Sequence, residues 1–398
     1  MYAMRQLTVI RLGAFSGSAV SLIKALTDLD LVVDDVDITS MARRPEMLPA
    51  RLGAHLEARK AGAGVPWAKT GAWSRAVQRR LELSGRLRPG TAILQVQTIP
   101  ALPLGARFRY GVYTDRVGLQ GAAEDPDFAS RYAPSWLERE KETLQKARRV
   151  FIMGPSTKPF LQGGYGIPPE RIEIVGGAPN ASVSAAVKRG PCRRLLFVGT
   201  QWRLKGGPEL LDALMIVRER YPNVQLTIVG CIPPQPVPQG VEVLGRLPAS
   251  ALEPIYAKAD AFVLPTRADA FGIAFIEALQ AGLPVIGTTA GNQPWIIGNA
   301  GLFAKPGDAV DLARSICALI ERYDEYIRRA AVRGRQLQED FGWPRIAHKI
   351  ASALLDDESP GELRLRKPGL DRSPLPPPGS DLQCSERLLE SHPPPEGC

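Results

Sequence analysis

PTRADAFGIAFIEALQAGLPVI, residues 265–286, decides how this chain is read. From Ile273 the segment is apolar on nearly every side, through Phe275, Ile276 and Leu279, the pattern of a helix buried all round. Two acids interrupt it. Glu277 sits in mid-helix and Asp269 stands just before the first turn. A carboxylate taken out of water without a partner is costly. Something polar must therefore meet each acid, and the glycines beside them leave room for a ligand. The competing reading is a salt-bridged structural Glu and an Asp that caps the helix.

Outward from this helix, short apolar strands alternate with helices. Downstream of residue 190, strands are expected at 194–198, 224–229, 241–244, 261–264 and 284–286. Helices are expected at 207–220, 308–321 and 343–355. Upstream, strands at 7–12, 32–38, 92–97, 109–113, 150–153 and 172–175 alternate with helices that include 19–29 and 136–147. Such alternation implies parallel sheets covered on both faces. A chain of 398 residues is too long for one core. The expected class is α/β, with two doubly wound sheets joined through the small-residue stretch 179–191. Ligands of such sheets bind beyond the carboxyl ends of the strands, so the cleft between the two sheets is the expected site. From 359 to 398 nine of forty residues are proline, which reads as a disordered tail.

Composition narrows the function. Apolar residues are 44% and charged residues 23%, ordinary values for a globular protein. No signal peptide or membrane span is read, because the apolar run at 7–10 has only a strand's length. Five scattered cysteines without a CxxC argue against a disulfide frame or a zinc site and fit a reducing cytoplasm. Three separated histidines argue against a His-based metal site or a Ser-His-Asp triad. The net charge of +9 is concentrated: eleven Lys and Arg against three Glu leave +8 within residues 41–90. There the stripe Trp73, Ala76, Val77, Leu81, with Arg75, Arg79 and Glu82 off it, reads as an amphipathic basic helix. An anionic membrane surface is its expected partner, which would place the protein peripherally on the inner face of the plasma membrane. A helix packed on its own domain with a solvated basic face is the alternative. Nucleic acid is not expected, since no aromatic-interleaved strand motif accompanies the charge.

The second half opens RRLLFVGTQWRLKGGPELL, residues 193–211. A strand, Gly199, a loop, and then Gly206-Gly207-Pro208 starting a helix make an anion-binding arrangement, because a helix N-terminus offers free N–H groups and partial positive charge. Arg203 and Lys205 project from the loop, and together they suit a diphosphate. The spacing is not a Walker loop, and a plain strand-loop-helix with two surface bases is the alternative. A diphosphate flanked by Glu277 and Asp269 describes a sugar nucleotide, with one acid for ribose hydroxyls and the other for the sugar.

Taken together, these segments resemble retaining glycosyltransferases of family 4, with the two-domain GT-B fold. The resemblance runs in order over about 5–356. It includes FVG at 197–199, KGG at 205–207, the acidic segment, AGNQPWIIGNAGLFAKPGD at 290–308 and FGWPRIAHKIASALL at 341–355. In the first half it includes WLEREKETLQKARRVFIMG at 136–154 and YGIPPERIEIVGGAPN at 165–180. It implies two Rossmann-like domains facing a central cleft. An acceptor-binding domain would cover 1–185 and a nucleotide-sugar-binding domain 190–342. A closing helix at 343–357 would pack back on the first domain, and 358–398 would form the tail. It implies that Lys205 binds the diphosphate and that Glu277, the second acid of an E-x7-E pattern, holds the ribose. Asp269 stands where the first Glu is usual and would contact the donor sugar. Phe271 and Gly272 would offer backbone N–H groups. Gly17 and Ser18 from the first domain, and Gly199 from the second, would border the phosphates.

Two departures stand out. Thr200 occupies the place of an Arg five residues before the Lys, and Arg203 is the candidate replacement. The first domain offers no His near the sugar; Thr114 stands there, followed by Asp115. That role falls to Asp115, unless it only caps a loop. The implied activity is transfer of a hexosyl group from a nucleotide-diphosphate sugar to a hydroxyl of a glycan or lipid-linked acceptor, with retention, no cofactor and no metal. Three rivals stay open. Asp35-Val36-Asp37 can be read as the DxD of a metal-dependent GT-A transferase; the others are a sugar-nucleotide epimerase and a non-catalytic scaffold.

Overall fold

The computed structural model describes residues 6–355 except 63, 88–89, 106, 125–130, 182 and 186–189. The tail at 358–398, read as disordered, lies outside the described residues.

The first sheet holds β1 (Gln6–Arg11), β2 (Val32–Asp37), β3 (Ala92–Val96), β4 (Arg109–Thr114), β5 (Arg149–Ile152) and β6 (Ile172–Ile174) in the order β2-β1-β3-β4-β5-β6. Its helices are α1 (Ser18–Thr27), α2 (Ile38–Ala42), α3 (Leu48–Ala61), α4 (Gly71–Leu83), α5 (Gly118–Glu124) and α6 (Pro134–Lys146). The second domain continues β7 (Arg194–Val198), α7 (Gly207–Arg220), β8 (Gln225–Val229), β9 (Val241–Gly245), α8 (Glu253–Lys258), β10 (Ala261–Val263), α9 (Ile273–Gln280), β11 (Val285–Thr288), α10 (Gln293–Ile297), β12 (Gly301–Ala304), α11 (Ala309–Glu321) and α12 (Tyr323–Asp340). Its sheet order is β12-β11-β10-β7-β8-β9. Every pairing in both sheets is parallel. The sequence explains this: β3 (AILQV) and β10 (AFV) are buried at every position, as strands covered on both faces must be.

Strand order reverses between β1 and β3 and between β7 and β10. Loops leaving the carboxyl ends of such neighbours turn to opposite faces and leave a crevice. The last helix, α13 (Trp343–Leu355), lies against α1 and β4 of the first domain. Trp343 Nε1 donates to the Pro179 carbonyl at 2.9 Å, and Arg109 Nη1 donates to the Leu355 carbonyl at 2.8 Å.

The expected strands are present, with ends shifted by at most two residues. Strand β12 and helices α2, α3, α5, α10 and α12 were not anticipated. One expectation is overturned. The apolar stripe of α4 does not face outward: Trp73, Val77 and Leu81 are buried in the first domain's core, while Arg75, Arg79, Glu82 and Leu83 meet solvent. The packed-helix alternative is the one found.

Candidate active site

The loops after β7 and β10 are stitched together. The Leu204 carbonyl accepts from the Arg267 N–H at 2.9 Å and from the Thr266 hydroxyl at 3.0 Å. The glycine pair makes this approach possible. Gly206 adopts φ +74°, and a Cβ there would sit 2.1 Å from the Pro265 carbonyl oxygen. A Cβ on Gly207 would sit 2.1 Å from the Trp202 ring. Only glycine fits at either point. The consequence is an ion pair: Lys205 Nζ lies 3.0 Å from Asp269 Oδ2, both largely buried. The Lys205 stem packs beside Gly199, whose Cβ would fall 3.1 Å from Lys205 Cγ. Asp269 is thus not the helix cap; Gly272, with φ +105°, precedes the first turn of α9.

Glu277 is met differently. It is buried, and the Tyr256 hydroxyl of α8 donates to its Oε2 at 2.9 Å. On its other oxygen the Ala181 N–H approaches at 3.5 Å. Burial raises its carboxyl above the usual range, against the lowering pull of these donors. Glu277 is therefore hydrogen-bonded, not salt-bridged. Tyr256 was missed in the sequence, where nothing links a tyrosine on a six-residue helix to an acid twenty-one positions on.

A cavity of about 180 Å³ joins the two domains. Lys205, Asp269, Phe271 and Gly272 line it from the second domain, and Ser18 and Asp115 from the first. Burial pushes the Asp115 carboxyl up to about 6, and the charge of Asp269 acts in the same direction. Gly17, with φ +89°, sits one residue before α1 and packs on the Asn180 side chain rather than into the cavity. Asn292 bridges the domains: its Oδ1 accepts from the Ser156 N–H and its Nδ2 donates to the Ala270 carbonyl, both at 2.9 Å. That bridge had no signal in the sequence.

Arg203 is not brought to Lys205. It is exposed and lines a separate cavity of about 890 Å³ with Trp202, Pro208, Gln235 and Arg267. Two residues apart in a turn, the two bases point to different spaces. Arg267 is itself engaged with Glu209 of α7. The DxD reading of Asp35 and Asp37 also fails. Arg11 holds Asp35 through two hydrogen bonds of 2.8 Å and lies 3.2 Å from Asp37. Asp37 caps α2 through the Thr39 N–H at 2.8 Å and accepts from the Gly13 N–H at 3.0 Å. These acids shape the β1 and β2 ends. Among the described residues no group of three His, Cys, Asp or Glu is placed to hold a metal.

This geometry has counterparts among known proteins. Residues 192–322 match the family model described as Glycosyl transferases group 1. A glycogen synthase of Mycobacterium tuberculosis is 27% identical over 239 residues, covering 56% of each chain. O-antigen chain mannosyltransferase B of Escherichia coli is 29% identical over 255 residues, covering 57% of this chain and 66% of that one. The chain spans about half the length of the first of these relatives. The solved structure of sucrose-phosphate synthase from Thermosynechococcus elongatus superposes with a TM-score of 0.65 at 16% identity, over 87% of this chain and 98% of that one. Residues 192–322 are thus similar to the glycosyl transferases group 1 family, and the two Rossmann-like domains have the GT-B architecture.

Proposed function

We propose that the chain is a retaining glycosyltransferase. It moves a hexosyl group from a nucleotide-diphosphate sugar to a hydroxyl of a glycan or lipid-linked acceptor, without a metal. The observation that carries this reading is the Lys205–Asp269 pair at the switch point of the second sheet, walled by Ser18 and Asp115 of the first domain. The bond to break joins an anomeric carbon to a diphosphate, and negative charge builds on the departing phosphate. The ammonium of Lys205 and the N-terminus of α7 supply positive charge there once the donor is bound, usually the largest catalytic term. Donor binding draws Lys205 from Asp269 to the phosphate and frees Asp269 for the sugar hydroxyls. Glu277, with Tyr256 behind it, serves the ribose. Asp115 faces the sugar from the acceptor side. The acceptor hydroxyl attacks on the leaving-group face and passes its proton to a phosphate oxygen, so no protein nucleophile is needed.

The cavity of about 180 Å³ is smaller than the ~300–1,000 Å³ of sites that enclose a ligand. A whole donor therefore needs the cleft to widen, as domain pairs of this kind do. The test is a thermal-shift screen of UDP-, ADP- and GDP-sugars. A ligand held only by the folded state raises the melting temperature with its concentration. One nucleotide sugar is expected to do so, and no shift from any of them would overturn the reading.

A further inference from the structure

Outside the cleft, α3 turns its largest apolar side chains to water. Leu48, Leu52 and Leu56 are spaced by four and form one ridge along the helix. They are 62%, 63% and 53% exposed, and none belongs to the core. The buried side holds only Ala54 and Ala58. Isolated surface leucines are ordinary, but three in register on one helix are a patch. The charge around the ridge is mostly positive. Arg43 and Arg44 stand exposed just before the helix, and Arg59 and Lys60 are exposed in its last turn. Nearby acids are engaged elsewhere. Glu46 pairs with Arg80 at 2.9 Å. Glu57 turns inward and accepts the Gly71 and Ala72 N–H groups at 3.1 and 2.8 Å, at the start of α4.

We propose that α3 is a membrane-docking helix, lying in the interface of an anionic bilayer. Leu48, Leu52 and Leu56 enter the acyl region, while Arg43, Arg44, Arg59 and Lys60 meet lipid phosphates. A second copy of the chain would bring the same bases against these, and like charges oppose that contact. The complementary surface is apolar within and anionic at its rim, which a bilayer provides. The inference goes beyond sugar transfer and stands apart from it, since vesicle binding is read without donor or acceptor.

The experiment sediments the full chain with vesicles of phosphatidylcholine and phosphatidylglycerol in equal parts, and with phosphatidylcholine alone. The parent is expected to follow the anionic vesicles and to ignore the neutral ones. The variant Leu48→Gln/Leu52→Gln/Leu56→Gln is expected to bind at least about tenfold more weakly with an unchanged melting curve, because it loses insertion but no core contact. Arg43→Glu/Arg44→Glu/Arg59→Glu/Lys60→Glu is expected to lose binding as well. If the triple variant does not fold, Leu52→Gln at the ridge centre carries the comparison. A parent that stays in the supernatant, or a leucine variant that sediments like the parent, overturns the proposal. So does a concentration-dependent dimer that the leucine variant abolishes, which would assign the ridge to a second copy.

Discussion

Two carboxylates eight residues apart, on one loop and helix, are treated in opposite ways. Asp269 is paired with a cation, while Glu277 is paired with a tyrosine hydroxyl and keeps a raised pKa. Two substitutions should therefore separate. On the proposed reading Lys205→Ala removes the charge that meets the diphosphate, so turnover should fall by ~10²–10³-fold, a barrier of ~3–4 kcal/mol. Steady-state kinetics with the donor found by the thermal screen reads this, and near-normal turnover would remove Lys205 from the site. Glu277→Gln keeps the shape and can still accept from Tyr256. It should weaken nucleotide binding by calorimetry while leaving the melting temperature at neutral pH equal or higher. The sign follows from the raised pKa: the folded state holds the charged form less favourably than the unfolded one does, so removing the charge does not destabilise. The acids and Lys205 were legible in the sequence because each breaks an apolar or glycine pattern. Their partners were not, since pairing across sequence is set by the fold; reading Arg203 beside Lys205 mistook adjacency in the chain for direction in space.

At the scale of elements, α9 and α12 cross with their backbones nearly touching. A Cβ on Gly334 of α12 would lie 2.1 Å from the Leu279 carbonyl oxygen. Helix propensity favours Gly334→Ala by ~1 kcal/mol, yet the overlap should cost more, for a net loss of ~1–3 kcal/mol in urea unfolding. A more stable variant would mean that the helices are farther apart than described. In the first domain, Glu140 of α6 is fully buried and joins three elements. It accepts from the Thr98 hydroxyl at 2.6 Å, the Gly118 N–H of α5 at 3.0 Å, and the Tyr165 hydroxyl. Burial pushes its carboxyl to about 7 from an ordinary 4.5. The folded state thus keeps a proton that the unfolded chain has released between those pH values. Stability from this group is complete below pH 4.5 and is lost as pH rises through about 7, by up to ~3 kcal/mol. Melting curves at pH about 5 and about 8 should differ less in Glu140→Gln than in the parent; an unchanged difference would show that Glu140 is ionised in the fold. Strands were legible because their apolar runs end at glycine or proline. Helix α3 was not, because its leucines face water and its alanines face the core, the inverse of the usual pattern.

For the whole molecule, the two sheets bring their switch points to one cleft, and Lys205, Asp269, Asp115 and Ser18 meet there with no metal ligand set among the described residues. Most of the net charge lies elsewhere, in the segment that carries α3. The two-domain plan was readable from the alternation of strands and helices; the narrowness of the cleft and the Asn292 bridge across it were not, because neither leaves a local pattern. The central claim is metal-free transfer with retention in this cleft. The most direct measurement is NMR of the anomeric centre of the product, taken before mutarotation, in a reaction run with EDTA. The account predicts product formation in EDTA with the donor's anomeric configuration kept. An inverted product, or transfer that appears only when a divalent ion is restored, would contradict it.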